Sequence, residues 1–144
     1  MAENTLTRRS TLVLLGAAVC AGKLACGGTG SGDVPTTIAA GAASSFPPGS
    51  LQVVDGLPVG VGHDGGGLYA LSLICTHAGC DMTQSGSVSP ARIDCFCHGS
   101  VFSPEGDVLR GPAFSPLLHY ALTKDAAGQL TVHTDRTVPP GTRV

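Results

Sequence analysis

Two short segments rich in cysteine and histidine constrain the fold of this chain more than any other feature of its sequence. They read CTHAGC at residues 75–80 and CFCHGS at residues 95–100. Each segment supplies one thiolate and one imidazole at close spacing, together with one further cysteine. Thiolate and imidazole bind zinc and iron–sulfur clusters. A shared metal centre would therefore hold two loops, separated by 14 residues, side by side.

Four side chains in these segments have the composition of a metal site: Cys75, His77, Cys95 and His98. Two cysteines with two histidines form a structural zinc set. The same set suits a [2Fe–2S] cluster in which the cysteines hold one iron and the histidines the other. Neutral imidazoles leave such a cluster less negative, so it accepts an electron more readily. Zinc would leave Cys80 and Cys97 without a role, whereas a bond between them would tie the loops together; two free thiols are the alternative.

Short β-prone segments separated by turns predict an all-β domain. Turn signals occur at His63–Gly67, at Ser103–Gly106 and at Asp125–Gly128. No segment after the N-terminal region shows helical periodicity. The predicted strands are residues 51–54, 57–61, 68–74, 91–94, 101–102, 108–110, 117–123 and 130–134.

The N-terminus predicts an export signal or an N-terminal anchor over residues 1–26. Arg8 and Arg9 precede an uncharged run from Ser10 to Gly22, which is shorter than the roughly 20 residues of a membrane-spanning helix. The arginine pair resembles a twin-arginine signal, which exports folded proteins. We therefore expect a protein of the bacterial periplasm or of the periplasmic face of the membrane. Cys26 is a candidate lipidation site, although Lys23 does not fit the lipobox.

The remaining chain divides by composition into three parts. Residues 27–46 are rich in Gly, Ala and Ser and predict a linker. Residues 47–136 form the predicted domain, and residues 137–144 a C-terminal tail. Lys and Arg number 8 and Asp and Glu number 10, so no basic patch for nucleic acid is expected.

The two segments resemble the two ligand boxes of Rieske iron–sulfur proteins, specifically the quinol–cytochrome oxidoreductase type. Both boxes match in order, and the resemblance covers about residues 50–134. Gly106 and the Gly-Pro-Ala sequence at residues 111–113 also fit the family pattern. Ferredoxins and oxygenases of the wider family have similar ligands but usually lack the extra cysteine pair.

This resemblance implies a small antiparallel β-sandwich or barrel with a two-loop cluster-binding subdomain and one [2Fe–2S] cluster per chain. Within it, Cys75 and Cys95 would bind the inner iron, and His77 and His98 the outer iron. Cys80 and Cys97 would form a disulfide. Ser100 would donate a hydrogen bond to a bridging sulfide and raise the potential. Gly111 and Pro112 would belong to the proline-containing loop over the cluster.

Four positions depart from the family pattern. Phe102 stands where high-potential members usually have tyrosine, so we expect a lower potential. Ala78 replaces the usual bulky apolar residue that faces the partner. Phe96 replaces the proline between the second box's cysteines, where we expect it to supply apolar cover, and Phe114 replaces the second proline of Gly-Pro-Ala-Pro. These departures weaken the expectation of quinol oxidation but not that of a cluster.

The resemblance implies electron transfer as one component of an oxidoreductase, without catalysis by this chain alone. We expect a subunit of a cytochrome bc-type quinol oxidoreductase, with a redox partner protein, quinol and a membrane as partners. The alternative is an electron carrier for another enzyme, such as a molybdenum oxidoreductase of the arsenite-oxidase kind. The histidines outside the boxes, His63, His119 and His133, are expected to be surface or strand residues.

Overall fold

The computed structural model describes residues 34–144, which form ten β-strands and one short 3-10 turn. In chain order these are β1 (Thr37–Ala42), the 3-10 turn (Ala43–Ser45), β2 (Leu51–Val53), β3 (Val59–Asp64), β4 (Gly67–Ser72), β5 (Gly86–Val88), β6 (Ile93–Cys95), β7 (Val101–Phe102), β8 (Val108–Arg110), β9 (His119–Lys124) and β10 (Gln129–Val138). The predicted signal over residues 1–26, including Cys26, lies outside the described residues.

The strands form two antiparallel sheets. The large sheet has the order β1-β10-β9-β4-β3-β2, and the small sheet has the order β5-β6-β7-β8. The all-β prediction is therefore confirmed. In the part of the chain that the structure describes, no helix is long and apolar enough to cross a membrane.

The predicted hairpin turns are present. In the β3–β4 hairpin Asp64 pairs with Gly67, and the Asp64 carboxylate accepts a hydrogen bond from the Gly66 amide at 2.7 Å. At the β9–β10 turn, one Asp125 carboxylate oxygen accepts from the amides of Ala127 and Gln129 at 2.9 and 2.8 Å. Short polar side chains that bond their own backbone favour turns in this way.

The buried residues form two clusters on opposite faces of β4. Leu68 and Ala70 belong to one cluster, whereas Tyr69 and Leu71 belong to the other, because successive side chains of a strand point to opposite faces. The Tyr69 cluster also contains Cys75, Cys95, Met82, Ile93, Phe102, Ala113 and Leu117. The site segments are thus built on a shared apolar core that joins the two sheets.

Two predicted boundaries need correction. Residues 37–45, predicted as part of the linker, form β1 and the 3-10 turn, so the domain begins about ten residues earlier. β1 pairs with the edge of β10, where Ile38 lies opposite Val132 and is buried. Its Ala- and Gly-rich composition has little β-propensity, so the sequence pattern does not indicate a strand there.

The predicted C-terminal tail is also part of the domain. Thr137 and Val138 belong to β10. The backbone of Val144 exchanges two hydrogen bonds of 3.0 Å with Leu68. The guanidinium of Arg143 lies 2.7 Å from the carboxylate of Asp64, and this hydrogen bond is the main reason that the pKa of Asp64 is lowered.

Two aromatic side chains connect the large sheet to the β7–β8 hairpin. The Tyr69 hydroxyl donates to the carbonyl of Pro104 at 3.0 Å, and His119 Nε2 lies 2.8 Å from the carbonyl of Glu105. The two rings stack at 5.8 Å, and the guanidinium of Arg143 covers the Tyr69 ring at 4.3 Å. Burial raises the pKa of Tyr69 to about 12 and lowers the pKa of His119. His119 is therefore a buried, neutral connector between the two sheets.

Gly86 allows β5 to approach its neighbours, and Gly86→Ala should destabilise the domain. A Cβ at this position would lie 2.7 Å from the Met82 carbonyl and closer still to the Asp94 carbonyl. Overpacking of this kind costs about 1–3 kcal/mol. The melting temperature measures the loss. Gly65→Ala is the control, since nothing lies within 4 Å of a Cβ there and its φ is not positive; equal melting temperatures would contradict the prediction.

The buried His119 should make stability depend on pH. Because desolvation lowers its pKa, the unfolded chain binds a proton below about pH 6.5 that the folded chain excludes. Stability is therefore lost as the pH falls through this range. We expect the melting temperature of the natural chain to drop more between about pH 7.5 and pH 5.5 than that of His119→Gln. His133→Gln, at a half-buried position on β10, should keep the drop of the natural chain. Identical drops in all three proteins would refute this role of His119.

Candidate metal centre

The two segments rich in cysteine and histidine form neighbouring loops. Residues 75–80, the first ligand loop, lie between β4 and β5. Residues 95–100, the second ligand loop, begin with the last residue of β6 and end just before β7. Residues 111–116, the proline loop, connect β8 to β9. The second ligand loop therefore lies within the small sheet, and the other two loops lie in the connections between the large sheet and the small sheet.

Both ligand loops make the same hydrogen-bonded turn. In the first, the Cys75 amide donates to the Cys80 carbonyl at 2.8 Å, and the Gly79 amide donates to the Cys75 carbonyl at 2.9 Å. In the second, the Cys95 amide donates to the Ser100 carbonyl at 2.8 Å, and the Gly99 amide to the Cys95 carbonyl at 3.0 Å.

The glycines explain why this turn forms twice. Gly79 has φ +74° and Gly99 has φ +85°, values that glycine adopts without the steric cost paid by other residues. The sequence signal is a glycine four residues after the first cysteine of each segment. This repeated glycine determines how each loop presents its side chains.

Three interactions hold the loops together. The structure places a disulfide between Cys80 and Cys97, which joins the two ligand loops. The Thr76 hydroxyl donates to the Ser115 carbonyl at 2.6 Å, which joins the first ligand loop to the proline loop. The Ala113 amide donates to Ser100 Oγ at 2.9 Å, which joins the proline loop to the second ligand loop.

The four predicted ligands lie at the two levels that a two-iron site needs. Cys75 and Cys95 are 3% and 1% exposed and are not disulfide-bonded. His77 and His98 are exposed, and their rings meet edge to face with centroids 4.8 Å apart. The cysteines therefore form an apolar inner level and the histidines a solvent-facing outer level.

The surroundings of the Cys95 thiol change its pKa in opposite directions. Burial is the main cause that raises its pKa, and the neighbouring Cys75 thiol acts in the same direction. The backbone amides of Cys97 and His98 bond its sulfur and lower the pKa. Amides directed at a sulfur stabilise negative charge on it, as a site for an anionic iron–sulfur cluster requires.

A second group of three sulfur atoms also lies close together. The Sγ atoms of Cys80, Cys95 and Cys97 are within 4.8 Å of one another. Since Cys80 and Cys97 are bonded to each other, this trio is not a set of ligands. Its geometry instead places the disulfide directly beside the Cys95 sulfur.

Ser100 has a hydrogen-bonding capacity that the protein does not use. Its side chain is fully buried, and its Oγ accepts the hydrogen bond from Ala113. The hydroxyl hydrogen has no acceptor among the side-chain hydrogen bonds of residues 34–144. A buried donor without a protein acceptor fits a bound group with acceptor atoms in the space beside it.

The other residues predicted around the centre divide into buried and exposed positions. Phe102 is fully buried in the same apolar cluster as Cys75 and Cys95. Gly111 and Pro112, joined by a cis peptide bond, are exposed at the start of the proline loop.

The expected apolar cover from Phe96 is not found within the chain, because its side chain is 68% exposed. Phe96 lies between the buried Cys95 and the disulfide-bonded Cys97, and its side chain is at the surface of the loop. Phe114, in the proline loop, is 87% exposed. Both aromatic rings are therefore available to a partner rather than packed over the site.

Comparisons with known proteins agree with this geometry. The family model of the Rieske [2Fe-2S] domain matches residues 36–124. The cytochrome b6-f complex iron-sulfur subunit of Synechococcus sp. (strain CC9605) is 38% identical over 96 residues, which is 60% of this chain and 52% of that protein. The chain thus spans about half the length of this relative.

Solved structures show the same fold. A chain of a hyperthermophilic respiratory complex III has a TM-score of 0.50 and 27% identity, covering 66% of this chain and 72% of that chain. A chain from the complex of reduced oxygenase and oxidized ferredoxin in carbazole 1,9a-dioxygenase has a TM-score of 0.50 and 24% identity, covering 72% of this chain and 98% of that chain.

The family model covers more than half of the chain and begins with β1. Its metal centre is one [2Fe–2S] cluster. Two buried thiols and two exposed imidazoles fit that cluster, so the structural zinc hypothesis is set aside. The buried thiols, the exposed imidazoles and the matched model lead to one conclusion: the chain belongs to the Rieske [2Fe–2S] family and is an electron-transfer domain.

Proposed function

We propose that this chain is the electron-transfer subunit of a quinol–cytochrome oxidoreductase of the bc type. The observation that carries the proposal is the Cys80–Cys97 disulfide between the two ligand loops, since ferredoxin and oxygenase members usually lack this cysteine pair. Relatives named as a cytochrome b6-f subunit and as part of a respiratory complex III support it.

The four predicted ligands would have different roles, because two are buried and two are exposed. When bound, the [2Fe–2S] cluster supplies a one-electron acceptor. Cys75 and Cys95 would hold it from the buried side and exclude water there, as their exposures of 3% and 1% indicate. His77 and His98 would hold it from the exposed side, where a partner can reach them. Each imidazole has a second ring nitrogen that can carry a proton, so the quinol proton would pass to one of these histidines.

Ser100 would act on the centre through its unused hydroxyl hydrogen. The bond from Ala113 fixes the position of Oγ, which leaves the hydroxyl hydrogen free to donate to a group bound in the site. A donor at that place stabilises the reduced, more negative state and raises the potential.

We propose further that the protein acts at the periplasmic face of a bacterial membrane. Support comes from Arg8 and Arg9 and from the uncharged run that follows them. A twin-arginine route would export the chain already folded, with its cluster in place. The segment would then remain as an anchor or be removed.

A second candidate is favoured by two non-ligand positions. Ala78 is exposed beside His77 and offers little apolar surface, and Phe102 is buried without a hydroxyl to raise the potential. Both suit an electron carrier for another oxidoreductase, such as a molybdenum enzyme of the arsenite-oxidase kind.

The partner can be tested by deleting the gene in its own host and returning tagged forms of the chain. We expect the deletion to abolish quinol–cytochrome reductase activity in membranes, the natural chain to restore it, and a b-type cytochrome to co-purify with the tag. His98→Ala, which removes a predicted cluster ligand, should not restore the activity. Co-purification of a molybdenum subunit, with quinol–cytochrome reductase activity unaffected by the deletion, would overturn the proposal in favour of the second candidate.

Ser100→Ala should lower the midpoint potential of the purified protein. A hydrogen bond to a charged group contributes about 1.5–3 kcal/mol, which corresponds to about 60–130 mV for one electron. Redox titration followed by electron paramagnetic resonance measures the change. Ser87→Ala, on the exposed face of β5, is the control, and it should leave the potential unchanged. Equal midpoint potentials in Ser100→Ala and Ser87→Ala would refute the role of Ser100.

A further inference from the structure

Arg110 is fixed against the second ligand loop. It is the last residue of β8 and pairs with Val101 of β7, which places its side chain next to the loop that precedes β7. Its Nε donates a hydrogen bond to the Gly99 carbonyl at 3.1 Å. Gly99 directly follows His98 in the sequence. A guanidinium is thus held by the backbone residue beside a predicted iron ligand.

This guanidinium is a charge without a counter-charge. No carboxylate lies within salt-bridge distance of Arg110 among residues 34–144. The other basic residue of this subdomain, Arg92, is neutralised by Asp94 at 2.9 Å. Arg remains protonated throughout the accessible pH range, so the positive charge at this position is permanent.

The acidic residues of the cluster-binding subdomain are placed away from this position or already engaged. The two ligand loops and the proline loop contain no acidic residue. Glu105 and Asp107 lie at the turn of the β7–β8 hairpin, at the opposite end from Gly99. Asp81 accepts hydrogen bonds from the backbone and hydroxyl of Thr83. Arg110 is therefore a basic side chain at this end of the subdomain that pairs with no carboxylate of residues 34–144.

We propose that Arg110 is an electrostatic determinant of the reduction potential. Reduction adds one electron to the cluster and so adds one negative charge to the site. A fixed positive charge beside the histidine side of the site favours the reduced state over the oxidised state. Because Arg110 is exposed, mobile ions screen its effect, and the contribution of the charge must fall as ionic strength rises.

The test is a comparison of three variants of the purified, cluster-loaded protein. Arg110→Gln removes the charge and keeps a side-chain donor, Arg110→Lys keeps the charge and loses the guanidinium, and Arg92→Gln removes a charge that Asp94 neutralises. The midpoint potential is measured by redox titration at about 0.01 M and about 1 M salt, where the screening lengths are about 30 Å and 3 Å.

At low salt Arg110→Gln should shift the potential downward, equivalent to about a two- to tenfold smaller equilibrium constant for reduction. The shift should shrink at high salt, and Arg110→Lys should retain most of the natural potential. Arg92→Gln should differ little from the natural chain at either salt concentration.

Three results would overturn the proposal: an unchanged potential in Arg110→Gln at low salt, an equal shift in Arg110→Lys, or an equal shift in Arg92→Gln. The second would assign the effect to the hydrogen bond with Gly99, and the third to net charge alone. The inference rests on the cluster and not on the identity of the partner. Since the isolated protein is titrated, a failure of the proposed quinol–cytochrome function leaves these outcomes unaffected.

Discussion

The hydrogen-bonded turn that each ligand loop makes around its glycine is the constraint on which the rest of the site depends. In both loops the first cysteine uses its backbone amide and its carbonyl to close the turn on itself. Gly79 and Gly99 adopt the positive φ that permits this closure. The turn directs the side chain of the first cysteine of each loop into the apolar core and leaves His77 and His98 at the surface. One backbone motif, used twice, thus separates the buried ligands from the exposed ones.

These loops can keep their geometry because the small sheet is held firmly against the large one. Tyr69 and His119 belong to the large sheet, and they bond the carbonyls of Pro104 and Glu105 in the β7–β8 hairpin. The second ligand loop and the proline loop flank that same hairpin. Contacts far from the predicted ligands in sequence therefore limit how far the ligand loops can move, and the covalent bond between Cys80 and Cys97 limits it further.

The candidate ligands are easier to recognise in the sequence than the limits of the domain, and the reason is physical. Metal ligands are identified by residue type and spacing, so Cys75, His77, Cys95 and His98 are visible without any knowledge of the fold. β1 is stabilised mainly by pairing with the edge of β10, and backbone pairing leaves almost no trace in a run of Ala and Gly. The sequence pattern does not indicate β5 for a similar reason. Gly86–Val88 is only three residues long, and Gly86 is needed there because neighbouring backbone carbonyls lie close to it.

Interactions between residues distant in sequence could not be predicted from the sequence either. The role of His119 depends on its stacking with Tyr69 and on a carbonyl in another sheet. The bond from Arg110 to Gly99 depends on the register of β7 with β8. Spacing patterns contain no information about such register. Resemblance to a family could supply the ligand roles of the boxes, but only the folded structure shows which polar groups around them are left unsatisfied.

The environment of the site indicates how its potential is set in this chain. Phe102 is fully buried and has no hydroxyl, so a tyrosine donor is absent from this position. The remaining polar groups are the Ser100 hydroxyl, the amides of Cys97 and His98 and the charge of Arg110. The Ser100 hydroxyl is fully buried, and the hydrogen bond from Ala113 fixes its oxygen. Arg110 is exposed to solvent, so a partner that covers it would remove its screening and strengthen its field at the site. Docking would then favour the reduced state, and the partner surface that meets Arg110 would determine how strongly.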